Sequence, residues 1–423
     1  MKTQIVKVPL MGQGNSDDDE ALGRWAMPND LSTWEVSSTS SPVLDPLRSA
    51  AARLRNTDIP VAFPTETVYG LGADATRSAA VRGIYTAKGR PSDNPLIVHV
   101  CDLDMLRGLL PPSPNPSQDS IPTIYHPLIA RFWPGPLTIL LPQPSPSPLA
   151  PEVTAGLSTF GVRMPASALA RTLIRLANAP LAAPSANAST RPSPTAAAHV
   201  RDDLDGRIEL VVDGGSCAVG VESTVVDGLC SPPAVLRPGG VSLEELRRCP
   251  GWEGVEKGYR DRAEVGKEAP RAPGMKYKHY SPRARVVLYE ASSGEGGVAK
   301  GDLEGVGEGK TVAVIRTGRW SERGCVEGYG VVLKPLAGGA EEGMELDIKQ
   351  GELTDEAGKQ AAKFLDVDLV GDVKGVAHGL FAALRELDRL GADVIFVEGV
   401  DDGHDIAAAV MNRLRKAASD IRA

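Results

Sequence analysis

Pro60-Val-Ala-Phe-Pro-Thr-Glu-Thr-Val-Tyr-Gly-Leu-Gly72 sets the reading of the first half of the chain. Pro60 to Phe63 is a short apolar run of the kind a buried strand makes. It breaks at Pro64 into a polar segment, Thr65-Glu-Thr67. Gly70 and Gly72 then free the backbone to turn sharply. The same motif of an apolar strand running into a polar loop recurs downstream. Strands are predicted at Leu96–Val100, Leu137–Leu141, Gly161–Met164, Leu210–Val212, Ser223–Val226 and Ala234–Arg237. Helices are predicted around Leu47–Arg55, Ser78–Thr86 and Ala166–Ala177. Strands mixed with a few helices, without strict alternation, predict an α+β domain around a mixed, twisted sheet.

Outward from this core, Thr3–Val8 reads as a short strand. Residues 12–42 are polar, acidic and Ser-rich, and read as a mobile insertion. Residues 111–122 form a Pro/Ser-rich insertion with no packing pattern. From Arg247 to Pro282 the chain is charged and Gly-rich, which predicts a linker. A second unit starts at Arg285-Val-Val-Leu-Tyr289 and continues with a strand at Thr311–Ile315. In a helix around Leu380–Leu390, Leu380, Leu384 and Leu387 share a face, and Gly391 stops it. Val394–Val397 is a buried strand, and Asp405 is placed to cap a last helix carrying Ile406, Val410 and Leu414. Strand, helix, strand, helix reads as a small α/β domain of parallel-sheet type. The expected division is a domain at 1–246, a linker at 247–284 and a domain at 285–423.

The 423 residues carry a net charge of −8, which argues against a broad nucleic-acid-coating surface. The five cysteines form no CxxC pair and have no histidine at zinc-ligand spacing, so they read as reduced thiols. No apolar run is long enough to cross a membrane. Asp17-Asp-Asp-Glu20 is what a secretory or mitochondrial leader avoids, so the expected compartment is the cytoplasm.

The chemistry-bearing residues sit in loops after apolar strands, where open sheets bind ligands. Lys88 and Arg90 bracket a glycine and precede a proline, so two cations lie on a stiff loop suited to adjacent phosphates. Ser92 and Asn94 add neutral donors. Ser185-Ala-Asn187 offers a hydroxyl and an amide at a strand mouth, and Arg191 and Ser193 follow. Arg163 lies inside an apolar strand and requires an acidic partner. That partner is either internal, such as Glu66 or Glu222, or a substrate carboxylate. Arg237 poses the same question. His99 is an interior strand residue that reads either as core or as a base. There is no Ser-His-Asp order, no HExxH and no GxxxxGK[ST] loop. Cations, hydroxyls and amides suit chemistry driven by positioning and charge stabilisation rather than by a protein nucleophile.

Most of these residues fall within seven motifs that occur in order. They are Phe63–Gly72, Lys88-Gly-Arg-Pro-Ser-Asp-Asn-Pro-Leu-Ile97, Phe132-Trp-Pro-Gly-Pro-Leu-Thr138, Gly161-Val-Arg-Met-Pro165, Ala183-Pro-Ser-Ala-Asn187, Gly220-Val-Glu-Ser-Thr224 and Leu236-Arg-Pro-Gly239. Together they resemble the YrdC-like domain of the Sua5/YrdC/YwlC family of threonylcarbamoyl-AMP synthases. Ala272-Pro-Gly-Met-Lys-Tyr-Lys-His-Tyr-Ser-Pro282 resembles the linker of the two-domain Sua5 form. Residues 409–419 resemble the end of its small, Rossmann-like α/β Sua5 domain. The resemblance implies conversion of L-threonine, bicarbonate and ATP to threonylcarbamoyl-AMP and pyrophosphate. The product would feed a tRNA-modifying complex acting at adenosine 37 of ANN-decoding tRNAs. Carried over, Lys88, Ser92, Thr159, Ser185, Ser193 and Arg237 would meet ATP, with Mg²⁺ accompanying the triphosphate. Arg90 and Asn187 belong to the same nucleotide motifs. Thr65, His99, Arg163, Ala183 through its backbone, and Ser223 would surround threonine, with Arg163 on its carboxylate. Tyr280 or His279 of the linker would reach over the nucleotide as a lid.

Two rivals stand beside this expectation. One is an RNA-binding module with a local basic cleft, which the acidic balance disfavours. The other is a carbamoyl-transfer maturation factor, which would bring zinc-finger-like cysteine pairs and an acylphosphatase-like segment; this chain has neither.

Overall fold

The computed structural model describes residues 2–10, 16–28, 30–113, 115, 118–259, 279–304, 306, 309–322, 325–336, 346–369, 371–403 and 406–423. It divides into two compact units, Met1–Ser189 with Ser193–Tyr277, and Thr190–Pro192 with Lys278–Ala423.

The first unit is built on an eleven-stranded mixed sheet. Its strand order is Gln4–Lys7, Leu210–Asp213, Val61–Pro64, Tyr69–Asp74, Leu181–Ala182, Ile97–His99, Thr159–Arg163, Leu137–Pro142, Thr224–Asp227, Ala234–Arg237 and Glu256–Lys257. Parallel and antiparallel neighbours are mixed along it, without the regular crossovers of a doubly wound sheet. Helices Leu44–Asn56 and Ala168–Ala177 pack on one side through Leu47, Leu54, Leu169 and Leu173. The apolar runs therefore form the strands that their composition predicts, and burial on both faces explains why they do not alternate with polar residues.

Four expectations change. The segment Tyr69–Asp74 is a strand, paired antiparallel to Val61–Pro64, and not a sharp turn. Gly70 and Gly72 serve close packing there: a Cβ on Gly72 would lie 2.7 Å from the Phe63 ring. Within 12–42, helix Ser16–Leu22 and the paired strands Arg24–Trp25 and Trp34–Glu35 are ordered elements, and Leu22 and Trp34 are buried. The acidic, serine-rich composition hid two tryptophans that anchor this segment. In the 111–122 stretch, Ile121 is buried and Asp119 pairs with Arg107 at 2.9 Å. Similarly, 247–259 is not a spacer. Cys249, Trp252 and Val255 are core residues, and Glu256–Lys257 adds the last strand. Residues 260–278 of the expected linker, including Pro273–Lys278, lie outside the described residues.

In the second unit, Gln360–Asp368, Thr311–Arg316, Val394–Glu398, Arg285–Tyr289 and Asp420–Arg422 run parallel in that order. An antiparallel strand, Ile348–Thr354, extends the Gln360–Asp368 edge, a hairpin that the sequence reading did not include. Helix Val373–Arg389 starts a full two turns before the predicted Leu380, with Asp372 capping it through the Gly375 N–H at 2.8 Å. Gly391 ends it at φ +82°. Asp405 lies outside the described residues, and the last helix runs Ala407–Ala417. Glu398, at the end of its strand, is fully buried, and its carboxylate accepts the four successive N–H groups of Thr317, Gly318, Arg319 and Trp320 at 2.5–3.1 Å.

Candidate active site

The site is laid out on one face of the first sheet. Strands Ile97–His99 and Thr159–Arg163 are parallel neighbours with His99 opposite Arg163 and Ile97 opposite Gly161. Side chains two apart share a face. Thr159, Gly161 and Arg163 therefore line up beside Ile97 and His99. Thr159 and Arg163 lie about 13 Å apart along the strand at ~3.3 Å per residue. Gly161 keeps the floor between them low: a Cβ there would meet Thr138 Cγ2 at 3.2 Å and Ile97 Cγ1 at 3.7 Å.

At the Arg163 end, the guanidinium is almost fully buried. Nε donates to the Gly135 carbonyl at 3.1 Å and Nη1 donates to Thr67 Oγ1 at 2.8 Å. Nη2 is in ion-pair contact with Glu66 at 2.5 Å. Of the two internal partners considered, Glu66 is the one that meets Arg163. Its two carboxylate oxygens are buried yet receive no aligned hydrogen bond. Thr65 Oγ1 donates to the Val68 carbonyl at 2.7 Å and is 2.9 Å from Thr67 Oγ1. His99 Nδ1 lies 3.3 Å from the Ile97 carbonyl. Burial, and then the charges of Arg163 and Arg237, push the His99 pKa down to about 3. The ring is therefore neutral near pH 7, and with Nδ1–H donating to Ile97, Nε2 is an acceptor. The Ala183 N–H donates to the Ile97 carbonyl at 2.9 Å, tying that backbone group to the strand that carries His99.

Arg237 is buried across the sheet, and both its Nε and Nη2 donate to the Ser223 carbonyl at 3.1 and 2.8 Å. Nη2 also donates to Ser223 Oγ at 3.1 Å, and that hydroxyl is 2.8 Å from Thr138 Oγ1. The turn that follows is tight: a Cβ on Gly239 would lie 2.3 Å from the Glu222 carbonyl oxygen and the Thr224 nitrogen. Ser193 donates to Glu222 at 2.5 Å, which gives Glu222 a partner in the Ser193 loop.

Lys88 closes helix Ser78–Lys88 and, far from being a solvated basic turn, is buried. Its ammonium donates to the carbonyls of Ser185 and, at 2.6 Å, Asn187. Gly89 takes the left-handed conformation at φ +61°, which turns the chain into the Arg90–Pro95 loop. Arg90 Nη2 donates to the Pro95 carbonyl at 3.1 Å, Ser92 is exposed, and Asn94 is buried with Oδ1 unpartnered. Lys88, Ser185 and Asn187 are thus brought together, as are Thr65, His99 and Arg163, and Ser223 with Arg237. Arg191 and Tyr280 group with the second unit: Arg191 is paired with Asp388 at 2.8 Å, and Tyr280 is buried and stacked on Phe381 at 5.3 Å. Among the described residues no three His, Cys, Asp or Glu side chains converge as a metal site.

Sequence reasoning left Thr67 and Thr138 unassigned, although both fall inside its quoted motifs. Thr67 lies two residues from Thr65, a spacing that lets the two hydroxyls meet around the hairpin.

A family model described as "Telomere recombination", covering Sua5, YciO and YrdC domains, matches residues 54–239. A second, described as "Threonylcarbamoyl-AMP synthase, C-terminal domain", matches residues 241–419. The threonylcarbamoyl-AMP synthase of Schizosaccharomyces pombe is 45% identical over 404 residues, covering 91% of each chain. That of Bacillus subtilis is 41% identical over 381 residues, covering 90% of this chain and 94% of its own. The crystal structure of Pyrococcus abyssi Sua5 complexed with L-threonine superposes with a TM-score of 0.67 at 37% identity, covering 89% of this chain and 95% of the other. Two matched domains in order and near-complete coverage of each relative place this chain in the threonylcarbamoyl-AMP synthase family, in its two-domain Sua5 form.

Proposed function

We propose that this protein is an L-threonylcarbamoyladenylate synthase, converting L-threonine, bicarbonate and ATP to threonylcarbamoyl-AMP and pyrophosphate. The observation that carries the reading is the buried Arg163–Glu66 pair beside the neutral His99. An amino acid presents a carboxylate and an ammonium a few ångströms apart. Arg163 supplies the cation for the first, and the unaligned oxygens of Glu66 supply acceptors for the second. His99 Nε2, Thr65 and Ser223 are the neutral groups that would receive the side-chain hydroxyl. A site that hydrogen-bonds a hydroxyl rejects the isosteric analogue lacking it, because its own groups are left unpaired.

At the nucleotide end, Lys88, Arg90, Ser92, Ser185, Asn187, Ser193 and Arg237 would hold the triphosphate and Thr159 the distal part of ATP. Mg²⁺, carried by the phosphates, would neutralise charge on the departing pyrophosphate. In the overall reaction the threonine amine and bicarbonate combine to a carbamate with loss of water. A carbamate oxygen then bonds to the α-phosphorus, and the bond from that phosphorus to the pyrophosphate oxygen breaks. The protein's part is to align carbamate and α-phosphate and to hold developing charge with Lys88 and Arg237. The product is a mixed anhydride, suited to carbamoyl transfer onto an amine. The family resemblance makes that amine N6 of adenosine 37 in ANN-decoding tRNAs, reached through a partner complex.

The test is pyrophosphate release from ATP and bicarbonate with each amino acid. Threonine should support turnover at least tenfold better than valine, from roughly 1–3 kcal/mol per unpaired group. Equal rates with the two would sink the assignment.

A further inference from the structure

We propose that the hairpin Arg24–Glu35 is a positioning element for the threonine end of the site, acting through Arg171 and Asp102. The hairpin precedes the stretch 54–239 matched by the domain model, and nothing in its composition marks it as part of the site. Its contacts are made to the two chain segments that leave His99 and Arg163.

On the His99 side, the N–H groups of Leu103 and Asp104 donate to the carbonyls of Leu31 and Ser32 at 2.9 and 3.0 Å. Thr33 Oγ1 donates to Asp104 Oδ2 at 2.7 Å. Asp102, three residues past His99, accepts the Trp34 N–H at 3.1 Å while capping helix Leu103–Arg107 through Met105 N at 2.8 Å.

On the Arg163 side, Arg171 is buried on helix Ala168–Ala177, and its Nη1 donates to the carbonyls of Pro165 and Ala166 at 2.9 and 2.7 Å. Those carbonyls form the turn that begins two residues after Arg163. The guanidinium lies over the Trp34 ring at 4.3 Å and near the Trp25 ring at 5.3 Å. The two indoles meet edge to face at 4.9 Å. Trp34 Nε1 donates to Thr172 Oγ1 at 3.0 Å, and that hydroxyl donates to the Leu22 carbonyl at 2.9 Å.

His99 and Arg163 are register partners on adjacent strands. One hairpin therefore fixes both strand exits behind the groups that would meet threonine. A reacting group misplaced by about 1 Å from a remote change can lose on the order of a hundredfold in rate. Arg171 does not reach the ligand; it positions the backbone that aims Arg163.

The proposal rests on the threonine reading of the site, and the experiment separates the two. Pyrophosphate release is measured in the full chain for wild type, Trp34→Leu, Trp34→Phe and Thr172→Val, with threonine varied at saturating ATP and ATP varied at saturating threonine. Trp34→Leu should raise the threonine KM roughly tenfold and leave the ATP KM within about twofold. Trp34→Phe, which keeps a ring under Arg171, should recover most of the threonine KM. An unchanged threonine KM in folded Trp34→Leu or Thr172→Val, with only a lowered melting temperature, overturns the proposal, because a purely structural brace lowers stability without this split. If Trp34→Leu does not fold, the same criterion is applied to Thr172→Val, which removes the acceptor of Trp34 Nε1 and should also raise the threonine KM. Wild-type pyrophosphate release that ignores threonine defeats the functional reading itself, whatever the variants do.

Discussion

His99 should impose a pH dependence on stability that His99→Gln removes. The ring is 4% exposed, and burial, then Arg163, depress its pKa from 6.5 to about 3, with the Ile97 carbonyl opposing them and Arg237 adding a lesser push downward. In the unfolded chain it titrates near the ordinary value of ~6.5. Between about pH 6.5 and pH 3 the unfolded state therefore holds a proton that the folded state refuses. The contribution is fully present above the unfolded pKa and is lost as pH falls toward the folded one, at up to ~1.36 kcal/mol per pH unit. From pH 7 to pH 5 this amounts to about 2 kcal/mol, an order-of-magnitude figure. Urea unfolding at pH 7, 6 and 5, followed by tryptophan fluorescence, reads it. Four of the five tryptophans, Trp25, Trp34, Trp133 and Trp252, lie in the first unit, so the signal is dominated by the unit that holds His99. The wild type should lose that much more stability than His99→Gln over the interval. Parallel pH profiles for the two proteins would refute the picture of a neutral imidazole held between two arginines.

Lys88→Met removes the ammonium from the Ser185 and Asn187 carbonyls. It should lower kcat/KM for ATP by about a hundredfold and also lower the melting temperature, since two carbonyls lose their donor. Gly239→Ala places a methyl 2.3 Å from the Ser223–Thr224 backbone, which must shift. A cost on the order of 2–3 kcal/mol in urea unfolding is expected, together with weakened substrate use through the displaced Ser223 and Arg237. Gly72→Ala meets only the Phe63 ring, at 2.7 Å, and should cost less, about 1–2 kcal/mol, with KM values little changed.

Particular residues show where sequence reasoning carried and where it stopped. Leu137–Pro142 and Val394–Glu398 are continuous apolar runs, and such runs have few structural options once turns bound them. Tyr69–Asp74 failed the same test because its glycines answer to Phe63, a neighbour in space. The Arg24–Glu35 hairpin looked unstructured because two tryptophans outweigh a polar composition only when Thr172 and Arg171 are there to receive them. Arg163 announced its need for an acid, but choosing Glu66 over Glu222 required the fold: the Val61–Asp74 hairpin brings one to it, and Ser193 engages the other. Arg171 carried no such signal, since a basic residue on an amphipathic helix ordinarily faces water.

The Glu398 carboxylate in the second unit has a consequence for what that unit can accept. Loops at the carboxyl ends of parallel strands, with successive amides turned inward, form the cradle in which many sheets of this type receive a phosphate. Here the cradle made by Thr317–Trp320 is filled from within by an acidic side chain of the neighbouring strand. An incoming phosphate at that loop would find the amides already engaged by a carboxylate that Arg319 Nε meets at 3.3 Å. The unit thus carries its own resident anion in that loop, held by four amides and by Arg319.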